Sequence, residues 1–455
     1  MAIQTINPAT GEVIKNYSEM NWNEVEKIIH SNHQAFLKWS NKSFQERAEL
    51  IRKVADNLGR NKQQYAELIT QEMGKPIRFS VAEIEKCQKS CYYYADNAEK
   101  FLAAQPVATE KSKSYVIYKP LGIILAFMPW NYPFWQVFRF AAPTLMAGNS
   151  VLLRHAPIST GTGLAIEQLF RDSGCPENLF RTLIMDNDTA AVAIRHPLVK
   201  GVTLTGSPQA GSIVGANAVG SFKKVVLELG GSDPYLILED ADLEHAAKTC
   251  VASRLNNSGQ VCIAAKRIIA VDAIKDKFET FLLEQIKNYK MGDPTHLETD
   301  LGPLARKDLR DNVHRQVQAC IEQGATLVMG GAIPTKPGFF YPPTVLKNLT
   351  PNMPAMREEI FGPVLALITA KDQEQAINIA NDTDYGLSAA VFTQDIAQGE
   401  DIAANRIHAG CCYVNDLVAS DPRLPFGGIK HSGIGRELGV AGIHEFTNVK
   451  TICIK

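Results

Sequence analysis

The spacing of apolar and polar positions changes character near residue 120. From about Asn21 to Phe101 it follows a helical period, with Val25, Ile28, Ile29 and Phe36 on one face and Leu50, Ile51, Val54 and Leu58 continuing it. Gly74-Lys75-Pro76 interrupts the pattern, and a second long helix is expected from Ser80 to Phe101. Ser114-Tyr115-Val116-Ile117-Tyr118-Lys119-Pro120 reads as a strand set apart from these helices, as in a hairpin arm. Beyond it, short apolar runs at 122–128, 150–153, 181–184, 201–204 and 224–229 alternate with helical stretches such as 163–170. That texture predicts a parallel sheet with crossover helices. A second α/β run follows, with strands at 235–238 and 267–271, helices at 277–289, 308–322 and 373–381, and a closing strand at 447–454. There is no repeat, low-complexity tract or linker, so the domains are expected to interleave and share an interface.

At 455 residues the chain exceeds what one core supports, and two or three domains are expected. A charged fraction of 21% with a formal net charge of −1, and no long Lys/Arg block, argues against nucleic acid or an anionic membrane as partner. The first residues show no basic segment followed by an apolar run, and the apolar stretch at 122–128 is too short to cross a bilayer. Nine cysteines, an odd number without a C-x-x-C pair, point to reduced thiols in the cytoplasm.

Three segments carry candidate chemistry. Asn256-Asn257-Ser258-Gly259-Gln260-Val261-Cys262 is a polar turn that delivers a thiol. Leu227-Glu228-Leu229-Gly230-Gly231 sets a carboxylate in an apolar strand that stops at two glycines, where isolation raises its pKa toward the working range of a general base. Pro129-Trp130-Asn131-Tyr132-Pro133 holds a carboxamide between prolines. Thiol, carboxylate and amide donor make a nucleophile, a base and an oxyanion ligand. No G-x-G-x-x-G follows a strand, but Thr205-Gly206-Ser207-Pro208-Gln209-Ala210-Gly211 after the 201–204 strand suits a helix N-terminus that receives an anion. Arg139 lies among Phe134, Trp135, Val137 and Phe138, where a charge needs a partner, either a substrate carboxylate or an internal Glu or Asp.

With these motifs, together with Glu359-Ile360-Phe361-Gly362-Pro363 and the run from Pro425-Phe426-Gly427-Gly428-Ile429-Lys430 to Gly435-Arg436-Glu437, the chain resembles the NAD(P)-dependent aldehyde dehydrogenases over essentially its whole length. The resemblance implies an α/β fold: a Rossmann-type cofactor domain (1–107 and 121–229), an α/β catalytic domain (230–435) and a β oligomerisation arm (108–120 and 436–455). It implies Cys262 as nucleophile, Glu228 as base and Asn131 as oxyanion donor, with no metal. Trp130, Gly206, Ser207, Gly211, Glu359 and Phe361 would contact the cofactor, Glu359 at the nicotinamide-side ribose. Where the family usually has Lys-Pro-x-Glu, this chain has Arg154-His155-Ala156-Pro157, so Arg154 can reach a ribose or a 2′-phosphate and no acid repels NADP. NAD and NADP are both left as cofactors, with a slight preference for NAD. Arg139, Trp135 and Ser420 are similar to the succinate-semialdehyde branch, in which such an Arg and Ser grip the distal carboxylate. The arginine that some of these enzymes carry six residues before the nucleophile is Asn256 here, with Arg254 close by. A homodimer or homotetramer oxidising succinate semialdehyde is therefore expected. The alternatives are a dehydrogenase of neutral aldehydes, a catalytically silent binding or structural relative, and a cysteine hydrolase, which would need a His base that neither motif contains.

Overall fold

A computed structural model describes residues 2–455. It opens on an antiparallel hairpin, β1 (Ala2–Ile6) and β2 (Val13–Ser18). Helices α1 (Trp22–Trp39), α2 (Phe44–Arg60), α3 (Lys62–Met73) and α4 (Ile77–Phe101) follow. Asn21 and Ser43 begin the first two with capping boxes, each pairing reciprocally with a glutamate three residues on. The expected break separates α3 from α4, which starts at Ile77 rather than Ser80. Strands β3 (Gln105–Pro106) and β4 (Lys113–Pro120) then leave the helices as an arm.

The first large sheet is built from β5 (Ile123–Met128), α5 (Trp135–Met146), β6 (Ser150–His155), α6 (Thr160–Asp172), β7 (Phe180–Thr182), α7 (Asn187–Arg195), β8 (Val199–Thr205), α8 (Pro208–Val219) and β9 (Lys224–Glu228). These strands run parallel in the order β9-β8-β5-β6-β7. Every residue of β5 is buried, which is why its sequence is continuously apolar rather than alternating. Strand order reverses at β5, between β6 and β8, so a crevice opens beyond the carboxyl ends of β5 and β8. The loops that leave those ends carry Trp130-Asn131 and Gly206-Ser207.

The second sheet uses β10 (Pro234–Ile237), α9 (Leu243–Leu255), β11 (Arg267–Val271), α10 (Lys275–Ile286), α11 (Lys307–Glu322), β12 (Thr326–Met329), β13 (Thr344–Lys347), α12 (Pro354–Arg357), β14 (Val364–Ala370), α13 (Gln373–Asn381), β15 (Ser388–Phe392), α14 (Ile396–Asp401) and β16 (Cys411–Val414). Its order is β12-β13-β14-β11-β10-β15-β16, parallel except for the β12–β13 pair. The chain then returns: β17 (Gly433–Ile434) pairs antiparallel with β9, α15 (Gly439–Glu445) follows, and β18 (Thr447–Ile454) pairs along all of β4. Residues 433–434, expected in the catalytic part, thus complete the first sheet. Among the described residues no helix is long and apolar enough to cross a membrane.

Candidate active site

After α9 the chain makes a turn in which Asn257 and Ser258 are left-handed (φ 49° and 54°), followed by Gly259 at φ 77°. Holding a non-glycine residue there costs about 1–3 kcal/mol, so the turn needs outside support. Asn257 Nδ2 donates to the Asn131 carbonyl (2.9 Å) and Ser258 Oγ to the Gly302 carbonyl (2.9 Å). Arg254 is fully buried and donates to the carbonyls of Gly259 (3.3 Å), Ile360 (2.7 Å) and Val364. It clamps this turn to the Glu359 loop and does not line the site cavities. A Cβ on Gly259 would run into the Gly362 carbonyl, so glycine is required for space as well as for φ. Cys262 follows, its carbonyl and that of Val261 (3.0 Å) accepting from Lys266 Nζ. Burial pushes the Cys262 thiol up to about 11, against the lowering effect of Lys266 and Arg139. A thiol so placed is protonated at neutrality, so any use of it as a nucleophile requires loss of that proton.

Asn131 is brought to the same turn by the β5 loop, its Nδ2 donating to the Gln260 carbonyl at 3.0 Å and keeping a second N–H for an oxyanion. The helix after it, α5, starts on a carboxylate from α4. Glu83 Oε1 accepts from the backbone N–H groups of Phe134 (2.8 Å) and Trp135 (2.9 Å), and Oε2 pairs with Lys75, both side chains fully buried. The Lys75 ammonium also sits 3.6 Å from the Tyr132 ring centroid. Neither Lys75 nor Glu83 stood out in the sequence, because their partnership crosses from one element to another.

Glu228 ends β9, and both its carboxylate oxygens are buried without a hydrogen-bond partner among the described residues. Burial raises its pKa well above the usual carboxylate range, opposed chiefly by Arg139. The C-terminal motif builds this enclosure. Gly433 pairs with Glu228, Leu229 N–H donates to the Ser432 carbonyl (2.9 Å), Ser432 Oγ donates to the Gly230 carbonyl (2.7 Å), and a Cβ on Gly427 would press on Glu228 Oε1. Gly206 N–H donates to the Glu228 carbonyl (2.9 Å), which ties the end of β9 to the turn before α8.

Of the two partners left open for Arg139, the structure shows the internal one, while the side chain still lines the smaller cavity. It is 1% exposed, ion-paired with Glu437, bonded to Thr205 Oγ1 (3.3 Å) and stacked 4.8 Å over Phe426. A guanidinium buried this deeply needs a counter-charge, and the chain supplies it.

Two cavities meet at Cys262. The larger, about 440 Å³, lies at the switch point and is lined by Trp130, Asn131, Arg154, Pro157, Gly206, Ser207, Glu359 and Phe361. Gly211 is not in that lining; it is buried in the first turn of α8 against Leu229, so its role is close packing rather than contact. Ser207 caps α8 by accepting from Ala210 N–H (3.2 Å), with Pro208 as the first helical residue. Arg154 donates to the Met185 carbonyl and to Asn187 Oδ1, both at 2.9 Å. Glu359 Oε1 accepts from Gly231 N–H (3.2 Å) and pairs with Lys266 (3.0 Å). Arg306 and Leu309 also line this cavity, and no motif had marked them. The smaller cavity, about 140 Å³, is lined by Trp135, Arg139 and Ser420 as expected, and also by Lys86, Asn256 and Phe426. Trp135 Nε1 (3.0 Å) and Lys86 Nζ (2.8 Å) both donate to Ser420 Oγ. One group of possible metal ligands, Glu26, His30 and His196, lies outside both linings, and His196 Nδ1 already accepts from Leu198 N–H (3.2 Å).

The model of the aldehyde dehydrogenase family matches residues 1–452. The NAD(P)+ succinate semialdehyde dehydrogenase Sad of Escherichia coli (strain K12) is 45% identical over 448 residues, 98% of this chain and 97% of that one. A probable NADP+ succinate-semialdehyde dehydrogenase of Synechocystis sp. is 44% identical, each chain covered in full. The crystal structure of succinic semialdehyde dehydrogenase from Streptococcus pyogenes with NADP+ superposes with a TM-score of 0.97 at 37% identity, again covering 100% of both chains.

Proposed function

The chain belongs to the aldehyde dehydrogenase family, and within it we propose that this protein oxidises succinate semialdehyde to succinate with NADP+ or NAD+. The observation that carries the reading is the placement of Cys262, where a long cavity at the switch point meets a small one whose wall bears cations and a serine hydroxyl. The larger cavity fits a dinucleotide. The N-terminal turn of α8 suits its phosphates, and Glu359 keeps Oε2 to accept from a ribose hydroxyl. Trp130 and Phe361 meet edge to face at 5.8 Å beside it. Pro157 places no negative charge against a 2′-phosphate.

In the proposed sequence Cys262 Sγ attacks the aldehyde carbon as its proton passes to water in the site. The carbonyl oxygen becomes an oxyanion between Asn131 Nδ2 and the Cys262 N–H, where one such donor is worth about 3 kcal/mol. A nicotinamide dinucleotide in the larger cavity would accept the hydride from that carbon. The acyl group is then a thioester on Cys262. Glu228 takes a proton from water, the water attacks the thioester carbon, and succinate leaves as that proton passes to the departing sulfur and restores the thiol. Nine free cysteines suit a reducing cytoplasm, and the β4–β18 arm suits a homo-oligomer. Initial rates with succinate semialdehyde and with butyraldehyde, each with NAD+ and NADP+, test the reading. The semialdehyde should lead in kcat/KM by roughly tenfold or more, about 1.4 kcal/mol in the transition state; equal values would return the protein to the neutral-aldehyde reading.

A further inference from the structure

We propose that Lys86, a residue of α4, is a further cation that receives the distal carboxylate of the substrate, with Ser420 and Trp135 arranged around it and Arg139, ion-paired with Glu437, beside it. The inference rests on the semialdehyde reading and assigns the contact within it. Two cations line the smaller cavity. Arg139 already has a carboxylate, a hydroxyl and an aromatic face. Lys86 has no ion-pair partner among the described residues; its Nζ bonds only Ser420 Oγ (2.8 Å) and lies 4.2 Å from the Trp135 ring centroid.

The surrounding charges are accounted for. On α4 itself, Glu83 is held by Lys75 and by the N-terminus of α5, and Glu85 pairs with Lys62 on α3. From α5 comes Arg139, a second positive charge, and from the loop after Ser420 comes Asp421, which takes two bonds from its neighbour Arg423 (2.8 and 2.6 Å). Ser420 Oγ accepts from both Lys86 and Trp135, so its own O–H is left to donate. The cavity wall thus offers an ammonium with unused N–H groups and a hydroxyl proton, and no anion to meet them. A carboxylate is the chemistry that satisfies all of these donors. Burial, with Arg139 adding to it, lowers the Lys86 pKa to about 8, so the charge should titrate at mildly alkaline pH.

The test is the ratio of kcat/KM for succinate semialdehyde to that for butyraldehyde, since effects shared by both substrates cancel in it. In the natural protein the ratio should fall as pH rises through about 8. Lys86→Met should lower the ratio tenfold or more at neutral pH, mainly through the KM of the semialdehyde. Lys86→Arg should keep most of the ratio and lose its alkaline fall, because a guanidinium stays charged. Ser420→Ala should lower it by a smaller factor. A natural ratio near one would overturn the semialdehyde reading itself. A high natural ratio that Lys86→Met leaves intact, or an alkaline fall that Lys86→Arg retains, would overturn the role of Lys86 alone.

Discussion

Both carboxylate oxygens of Glu228 are buried without a hydrogen-bond partner among the described residues, which links its proposed use as a base to a cost in stability. The folded state binds this proton more tightly than the unfolded chain does, because burial raises the pKa. Stability is therefore lost as pH rises from the unfolded carboxylate range through the folded value. Glu228→Gln removes the penalty, so its Tm gain over the natural protein should be larger at about pH 8 than at about pH 5. In catalysis the same variant should still form the thioester but hydrolyse it roughly 10²–10⁴-fold more slowly. A burst of reduced cofactor and an acyl adduct on Cys262 by intact mass would register this, whereas Cys262→Ala should give neither. An active Cys262→Ala enzyme would overturn the mechanism. At the adenosine end, Pro157→Glu should weaken NADP+ by roughly tenfold or more relative to NAD+, about 1.4 kcal/mol; equal losses for both would mean that this position does not face the 2′-phosphate. Cys262, Glu228 and Asn131 could be singled out in the sequence because each sits in a short local motif, and the structure brings Asn131 to the turn before Cys262. Arg139 was placed on the cavity wall with its partner left between the substrate and an internal acid, since its counter-charge, Glu437, comes from the far end of the chain. Lys86 was not legible at all, one lysine among several on an amphipathic helix.

Some elements were read to the residue whether buried, as β11 is, or largely exposed, as β18 is. The run at 267–271 is β11 to the residue, and 373–381 and 447–454 match α13 and β18. The hairpin β1–β2 and the strands β12 to β16 were not foreseen, several of them four-residue pieces too short to carry a periodic pattern. Equally hidden was the way α4 anchors α5. Glu83 satisfies two N–H groups at the start of α5 while neutralising a fully buried Lys75, so it fixes the helix that carries Trp135 and Arg139. Replacing Glu83 with Ala strands the ammonium and leaves both N–H groups unpaired, which should destabilise the protein by about 3–5 kcal/mol. Urea denaturation would show it as a lower midpoint, and Lys75→Met combined with Glu83→Gln should recover part of the loss. A single Glu83→Ala variant with an unchanged midpoint would mean that solvent reaches this pair.

The whole molecule is closed by its last strand. β18 runs antiparallel to β4 from Thr447 opposite Pro120 to Ile454 opposite Lys113, joining the two stretches expected to form the arm. In the order β18-β4-β3 it is an edge strand, so among the described residues no further strand pairs with its outer side. Val449 and Ile454 on it are 56% and 47% exposed, and Ile434 and Val440 just before it are 58% and 44% exposed. A long edge with apolar side chains is the kind of surface that proteins either blunt with charge or cover with another chain. Only Lys450 blunts this one, so covering by a second copy is the expected solution. Light scattering should therefore find the natural protein as a dimer or larger. Val449→Lys combined with Ile434→Lys should shift it toward the single chain and lower its Tm in a concentration-dependent way, because the partner no longer contributes by mass action. If the natural protein is monomeric at micromolar concentration, the arm serves only to fasten the C-terminus to β4, and the exposed valines and isoleucines need a different explanation.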